Sequence, residues 1–463
     1  MTEHYDIVII GAGPAGMAAA QTAARHKAKI LILDEQAAPG GQIYRASETN
    51  AKLDRPELGE SYQSGLPLVH AFRESDVSYV PNANVWQLSE DREVGYSKDG
   101  IARMVIGKQV IVASGAQERP FPVPGWTLPG VMTVGAAQIL LKESEIGIEN
   151  AVFCGSGPLL YLVVHQYLMA GIPVKAVIDL QPGGNYFKAL LKLPGALASL
   201  SKIIQGWGWK RDIVRAGVPL INGVSDLRIS EDNAANGVEY YRAGRWHRLD
   251  SEHVLLHQGV VPNINISRAA GCDCQWNAVQ CCWNVVVDDW FESSLSGIAV
   301  AGDGAFIGGG VAAEYSGCIA ALGALAKIRR IDNRERDRLA HPIRAAYTKE
   351  MRLRPFIDAL FKPAKHFRIP KEDDVVVCRC EEISVAQLRE VIDIGCPGPN
   401  QLKSFSRCGM GPCQGRFCGL TVSELIADIT GKTIEEVGYY RLRSPIKPLR
   451  LGELANLNFP SGD

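Results

Sequence analysis

The sequence has almost no net charge: 49 Lys and Arg stand against 50 Asp and Glu, leaving −1 over 463 residues. A chain so balanced has no long-range field with which to gather nucleic acid or an anionic membrane. It also lacks an apolar run fit to span a bilayer. The most apolar stretch, AVFCGSGPLLYLVVHQYLMAGIPV, is broken by glycine, proline and histidine and reads as strand, turn and buried helix. The opening MTEHYDIVIIGAG has no basic start, h-region or cleavage site, so no signal peptide is expected and a cytoplasmic location is. There is no Cys-x-x-Cys to serve as a thioredoxin-reductase-like dithiol. P-loop, metal triad and matched His–acid pair are missing too. His165, His253 and His257 sit in apolar surroundings and read as satisfied core residues, so none is expected to be catalytic.

What is present is glycine at turns and cysteine near the end. The length suggests two to four domains. The strand DIVII, residues 6–10, runs into GAGPAG and then an alanine-rich helix and a second strand, AKILILDE. Gly11 permits the tight turn, Gly13 lets a pyrophosphate approach the backbone, and Gly16 lets helix and strand pack closely. The helix start at Pro14 and Ala15 offers free N–H groups to phosphates. Asp34 or its neighbour Glu35 ends the second strand, where a carboxylate binds ribose hydroxyls.

Three further stretches resemble motifs of FAD proteins built from two dinucleotide-binding domains. PGGQIYR, 39–45, resembles their second glycine pair and brings in Gly41, Gln42 and Arg45. VIVASGAQERPFPVPG, 110–125, resembles their strand-and-turn motif, with Ala113, Ser114 and Gly115. GIAVAGDGAFIGGGVAAEYSG, 297–317, resembles their late motif: Gly302 turns, Asp303 binds a ribityl hydroxyl, and a helix beginning near Val311 points at the flavin ring. Val85 joins the expected FAD set by the same resemblance. The stretch 150–179 repeats the strand, glycine turn, helix and strand, with Gly155, Gly157 and Asp179 in place but Leu160 where a third small residue is usual. A leucine there is expected to push the helix off the strand. The inserted fold therefore stands open between an NAD(P)H site and a structural domain.

Twelve cysteines in a cytosolic chain point to ligands, buried thiols or redox groups rather than disulfides. CDCQWNAVQCC, 272–282, reads as a surface connection carrying incidental thiols, with a second metal site as the minority reading. The C-terminal set is different. Cys378 and Cys380 form C-x-C in VVVCRCEEIS, and Cys408 and Cys413 form C-x4-C in RCGMGPCQGRFC. Ser384 and Gln387 form a capping box for one helix, with Leu388, Val391 and Ile392 on one face and Gly395 to end it. A second helix is anchored by Leu420, Leu425, Ile426 and Ile429. Cys418 is expected a turn inside that helix and outside the ligand set, and Cys396 is expected to be structural. Four thiolates hold zinc or an iron–sulfur cluster. The pattern resembles the bacterioferritin-associated-ferredoxin type of [2Fe–2S] domain, which favours the cluster. Arg379 and Arg407 each adjoin a ligand, and their charge is expected either to raise the cluster's potential or to be simple surface charge.

With DEQAAPGGQIYR, GSGPLL and CGMGPCQGR in view, nearly the whole chain resembles the FAD- and [2Fe–2S]-carrying subunits of hetero-oligomeric amino-acid and opine dehydrogenases. Their relatives are the large subunits of octopine and nopaline oxidases, the corresponding chains of D-hydroxyproline dehydrogenase and hydrogen cyanide synthase, and the alpha chain of sarcosine oxidase. The resemblance implies an α/β, glutathione-reductase-like fold. Residues 1–125 and 285–330 form the FAD domain, 126–284 the inserted NAD(P)-binding-like domain, and 331–372 a helical connector. Residues 373–432 form a small α-rich [2Fe–2S] domain and 433–463 an extended tail lying on a neighbour. It further implies a membrane-independent dehydrogenase of opine, D-hydroxyproline or proline type. A separate FAD-containing beta subunit oxidises the amine, with FMN at an interface, an external electron acceptor and a small third subunit. The alternatives are a stand-alone NAD(P)H-dependent flavin reductase feeding its own [2Fe–2S] centre, and a non-enzymatic scaffold.

Overall fold

The computed structural model describes residues 3–231 and 234–457. Its larger sheet is ordered Ser78–Val80, Ile30–Leu33, Glu3–Ile10, Ile101–Val112, Glu93–Lys98 and Asn84–Leu88, with Ile298–Val300 also pairing with Ile101–Val112. Glu3–Ile10 is parallel to both neighbours, with Ile9 opposite Ile32 and Ile111. Residues 5–10 are buried without alternation, as a central strand covered on both faces must be. The helix Pro14–Ala24 lies on this sheet against Gly310–Lys327. Small residues make the approach possible: a Cβ on Gly317 would collide with the Ala15 carbonyl, and one on Gly16 with the Gly11 carbonyl.

A second, all-parallel sheet runs Leu220–Ile221, Val174–Asp179, Ala151–Gly155, Val254–His257 and Val131–Thr133. Leu160 does not keep its helix, Pro158–Met169, from packing. It is wholly buried in the cluster that holds Phe153, Tyr167 and Val177, so the apolar layer absorbs its volume. The segment 272–282 departs from expectation. Rather than a surface connection it forms a hairpin, Cys274–Asn277 with Cys282–Val285, that buries Cys272, Cys281 and Cys282. Trp283 in that hairpin meets Tyr439 edge-on at 6.4 Å, so the hairpin is core for the C-terminal part.

The helices Asn333–Met351, Arg354–Leu360 and Lys365–Arg368 follow, the first capped by Asp332, which accepts from the Glu335 N–H at 2.8 Å. Beyond them a two-stranded ribbon, Val376–Cys378 with Ile383–Ser384, leads into the helices Val385–Asp393, Pro399–Ser406 and Gly419–Thr430. The Ser384–Gln387 capping box is formed, and Leu388, Ile392, Leu420, Leu425 and Ile426 are buried. The tail folds back on its own chain. The Ile446 N–H donates to the Trp86 carbonyl at 2.9 Å, Lys447 pairs with Glu35 at 2.8 Å and Ser97 donates to Glu453 at 3.1 Å. Residues 458–463 of the expected tail lie outside the described residues.

Candidate functional site: a glycine-lined nucleotide cradle and a five-thiol centre

The cradle is built where the first strand meets its helix. Gly11 has φ +105°, and a Cβ there would run into the Ala113 carbonyl. Gly41, at φ +61°, faces Gly13 across the turn, and a Cβ on it would lie 2.8 Å from the Gly13 Cα. Two glycine loops thus keep a strip of bare backbone beside the helix N-terminus, which suits a pyrophosphate. Asp34 is buried at the end of Ile30–Leu33, its Oδ2 has no hydrogen-bond partner, and burial pushes its carboxyl up to about 6. Ribose hydroxyls would supply the missing donors, so the residues fit a dinucleotide.

Glu35 is turned instead to Lys447 and is half exposed. Arg45 is engaged by Gln36 at 2.6 Å and Glu143 at 2.8 Å. Gln42 presents its carbonyl to the buried amine of Lys142 at 3.2 Å. Val85 is buried in the edge strand next to Trp86, whose carbonyl holds the tail. Ser114 donates to the Asn263 carbonyl at 2.8 Å, and the Gly115 carbonyl accepts from the Asn263 N–H at 2.9 Å. Gly302, at φ +69°, sits where a Cβ would lie 2.8 Å from the Ala15 Cβ. Asp303 Oδ1 accepts from the N–H groups of Gly308 and Gly309 at 2.8 and 2.9 Å, closing the loop that delivers Gly310–Lys327. Val311 stands in that helix's first turn.

The thiol centre holds five sulfurs. The Sγ atoms of Cys378, Cys408 and Cys418 all lie within 4.8 Å of one another, in residues that are each buried. Cys380 is exposed and pairs with Cys413. Cys418 is therefore not inside the helix and out of reach: it is the N-cap of Gly419–Thr430 and points into the trio. Hydrogen bonds from Cys408 and then Cys418 pull the Cys378 thiol down to about 2, while the bond to Cys378 raises Cys408 to about 12. Three buried thiols thus share one negative charge, a donor set that a cation would deprotonate further. Tyr440 explains two of the glycines around them: a Cβ on Gly409 or Gly415 would run into its ring, and its hydroxyl donates to Cys408 at 3.5 Å.

Two contacts dock this loop beside the cradle's strand-and-turn motif. Asn265 donates to the carbonyls of Cys413 at 3.5 Å and Gln414 at 3.2 Å, and Gln117 donates to the Arg416 carbonyl at 2.8 Å. The two arginines near the thiols do not lend free charge. Arg407 is paired with Glu381 at 2.9 Å, and Arg379 lies over the Trp126 ring at 5.3 Å.

A His–acid pair is present after all, contrary to the sequence-based expectation. His257 Nδ1 lies 2.6 Å from Glu118 Oε1, and the other Glu118 oxygen accepts from the Gly135 N–H at 2.9 Å. The partners are 139 positions apart, so no local pattern betrays them. His257 Nε2 faces the inserted glycine turn, 3.1 Å from where a Gly157 Cβ would stand. Asp179, the would-be ribose acid of that fold, is buried and already accepts from Tyr161 at 2.7 Å, Lys210 at 3.2 Å and the Gln181 N–H at 3.0 Å.

Residues 5–159 match the pyridine nucleotide-disulphide oxidoreductase family, whose domain implies FAD, and residues 374–457 match the sarcosine oxidase A3 domain. The opine oxidase A-subunit of Agrobacterium tumefaciens is 44% identical, over 99% of this chain and 92% of its own. The HcnB subunit of hydrogen cyanide synthase from Pseudomonas aeruginosa is 30% identical, over 97% of this chain and 98% of its own. Among solved structures, L-proline dehydrogenase from P. horikoshii shares the fold with a TM-score of 0.73 at 19% identity, covering 98% of this chain and 81% of that one. The cradle, the thiol module and these full-length matches together make the chain an oxidoreductase subunit that belongs to the opine oxidase A-subunit family.

Proposed function

We propose that this chain is the electron-carrying subunit of a flavoprotein dehydrogenase for an opine, D-hydroxyproline, proline or similar secondary amine. The observation that carries the proposal is the five-thiol centre, held by Asn265 and Gln117 against the segment that carries Ser114 and Gly115. A partner FAD-containing beta subunit oxidises the C–N bond, with FMN at the interface and a small third subunit completing the cytoplasmic assembly. FAD, when bound, exchanges electrons singly or in pairs, which suits passage between a two-electron oxidation and a one-electron [2Fe–2S] centre. In this chain Gly11, Gly13, Gly16 and Gly41 shape the pyrophosphate cradle, Asp34 takes the ribose, and Asp303 orders the loop under the helix that begins at Gly310. Cys378, Cys380 and Cys413 hold the cluster, with Cys408 as the fourth thiol and Cys418 as its rival. An external acceptor receives the electrons.

The inserted fold serves as structure in this reading, because Asp179 is spent on Tyr161 and Lys210. The test is to mix the purified chain anaerobically with NADH or NADPH, and separately to assay amine oxidation with and without its co-expressed partner. The expected result is no bleaching of the flavin by either nicotinamide and amine oxidation only with the partner. Rapid bleaching by NADH would move the assignment to a stand-alone reductase. Amine oxidation by this chain alone would remove the division of labour.

A further inference from the structure

Val174–Asp179 and Leu220–Ile221 are adjacent parallel strands, so one helix suffices to connect them. The chain instead spends residues 180–219 on three helices, Gly184–Leu190, Leu193–Ala196 and Leu200–Arg215. Their outward side is apolar. Phe187 is 69% exposed, Leu191 66%, Ile204 62% and Trp207 75%. In the long helix Leu200, Ile204, Trp207 and Val214 recur at helical spacing on one outward stripe, while Ile213 is turned to the interior. That pattern is inverted for a surface helix, whose outward stripe should be polar. The platform is also held in place: Asn185, buried, donates to the carbonyls of Leu360 and Lys362 at 3.1 and 2.9 Å.

The charge of the same segment decides what covers it. Between residues 184 and 215 stand four lysines and two arginines against a single acid, Asp212. Lys202 and Lys210 are committed to Glu350 and Asp179, whereas Lys188, Lys192 and Arg215 have no ion pair among the described residues. A protein interface tends to exclude lysine from its centre. Lysine and arginine mixed with Trp, Phe and Leu on short helices is the composition of a segment that lies in the headgroup layer of an anionic bilayer. No helix among the described residues is long and apolar enough to cross a membrane, so such contact is peripheral.

We propose that the helices Gly184–Leu190 and Leu200–Arg215 form a docking surface for anionic phospholipid, with Phe187, Leu191, Ile204 and Trp207 entering the headgroup layer and Lys188, Lys192 and Arg215 meeting lipid phosphates. The balanced charge of the whole chain hides this surface, because the cations are gathered in one crossover.

The test is flotation of the full-length holoprotein, alone and with any co-purifying partner chain. Vesicles of phosphatidylcholine with phosphatidylglycerol are compared with vesicles of phosphatidylcholine alone. The wild type is expected to float with the mixed vesicles and to lose about tenfold or more of its binding in high salt or without phosphatidylglycerol. Ile204→Glu with Trp207→Glu should abolish flotation while melting temperature and flavin content stay unchanged, since both side chains face solvent. Lys188→Glu with Lys192→Glu should weaken it and removes the apolar changes as a source of misfolding. Absence of flotation overturns the proposal, as does flotation that both double variants retain. It is also overturned if the holoprotein self-associates, or binds its partner, through this face, seen as a mass by light scattering that falls in the Trp207→Glu protein.

Discussion

Cys378→Ser will strip the thiol centre of metal. Cys378 shares its sulfur with Cys408 and Cys418 and lies two residues from Cys380, so it joins the buried trio to the exposed pair. Replacing its thiolate with a hydroxyl removes a soft ligand from the point where the two groups meet. Iron in anaerobically purified protein should fall at least about tenfold. The module from 373 to 432 is too small to rest on its apolar core alone, so it should also melt earlier. The flavin count should hold, because the cradle residues lie in a different sheet. Cys408→Ser and Cys418→Ser divide the remaining question: the one that is a ligand empties the site, and the other leaves iron in place. Cys274→Ser, in the hairpin of the inserted fold, should leave iron untouched. Wild-type iron in Cys378→Ser would contradict the assignment.

Lys142→Met will loosen the flavin loop and erase a pH dependence. Lys142 is 4% exposed, and its amine donates to the carbonyls of Gln42 at 3.2 Å and Ile43 at 3.0 Å and to Gln138 at 3.2 Å. Burial, with a smaller push from Arg45, lowers its pKa from 10.5 to about 7. The unfolded chain then binds the proton more tightly than the folded chain. Stability rises as pH climbs from about 7 to 10.5 and is lost as pH falls back through 7. The full swing is up to about 4 kcal/mol. In Lys142→Met that rise disappears, and the two orphaned carbonyls cost about 1–3 kcal/mol each if no water reaches them. Thermal melts across this pH range measure the slope, and flavin release measures the loop. A variant that keeps the wild-type slope would place the titration elsewhere.

Local sequence carried the glycine turns and the helix caps because each needs only neighbours. Gly11, Gly13 and Gly16 announce a turn before any fold is known, and Ser384 with Gln387 announces a helix start. Long-range pairings left no such trace. Glu118 and His257 meet only because two strands of different parts converge, and Lys447 reaches Glu35 only once the tail has folded back. Cys418 was misplaced for a related reason: the apolar run suggested an earlier helix start, but Gly415 and Gly419 must stay open for the Tyr440 and Tyr439 rings. The helix therefore begins at Gly419, with Cys418 as its cap. Leu160 shows the opposite error, where a motif rule about small residues yields to an apolar layer that has room.

Electron exchange between a flavin and an iron–sulfur centre on one chain is the core of the proposed function. The direct measurement is a stepwise anaerobic reduction of the purified chain with dithionite, following visible absorbance and electron paramagnetic resonance together, with iron, zinc and flavin counted on the same sample. The expected result is a single flavin, a pair of irons and a single reducible paramagnetic cluster per chain, the cluster signal vanishing in Cys378→Ser. Flavin accompanied by zinc, or by no metal, with no paramagnetic signal at any step, would contradict it.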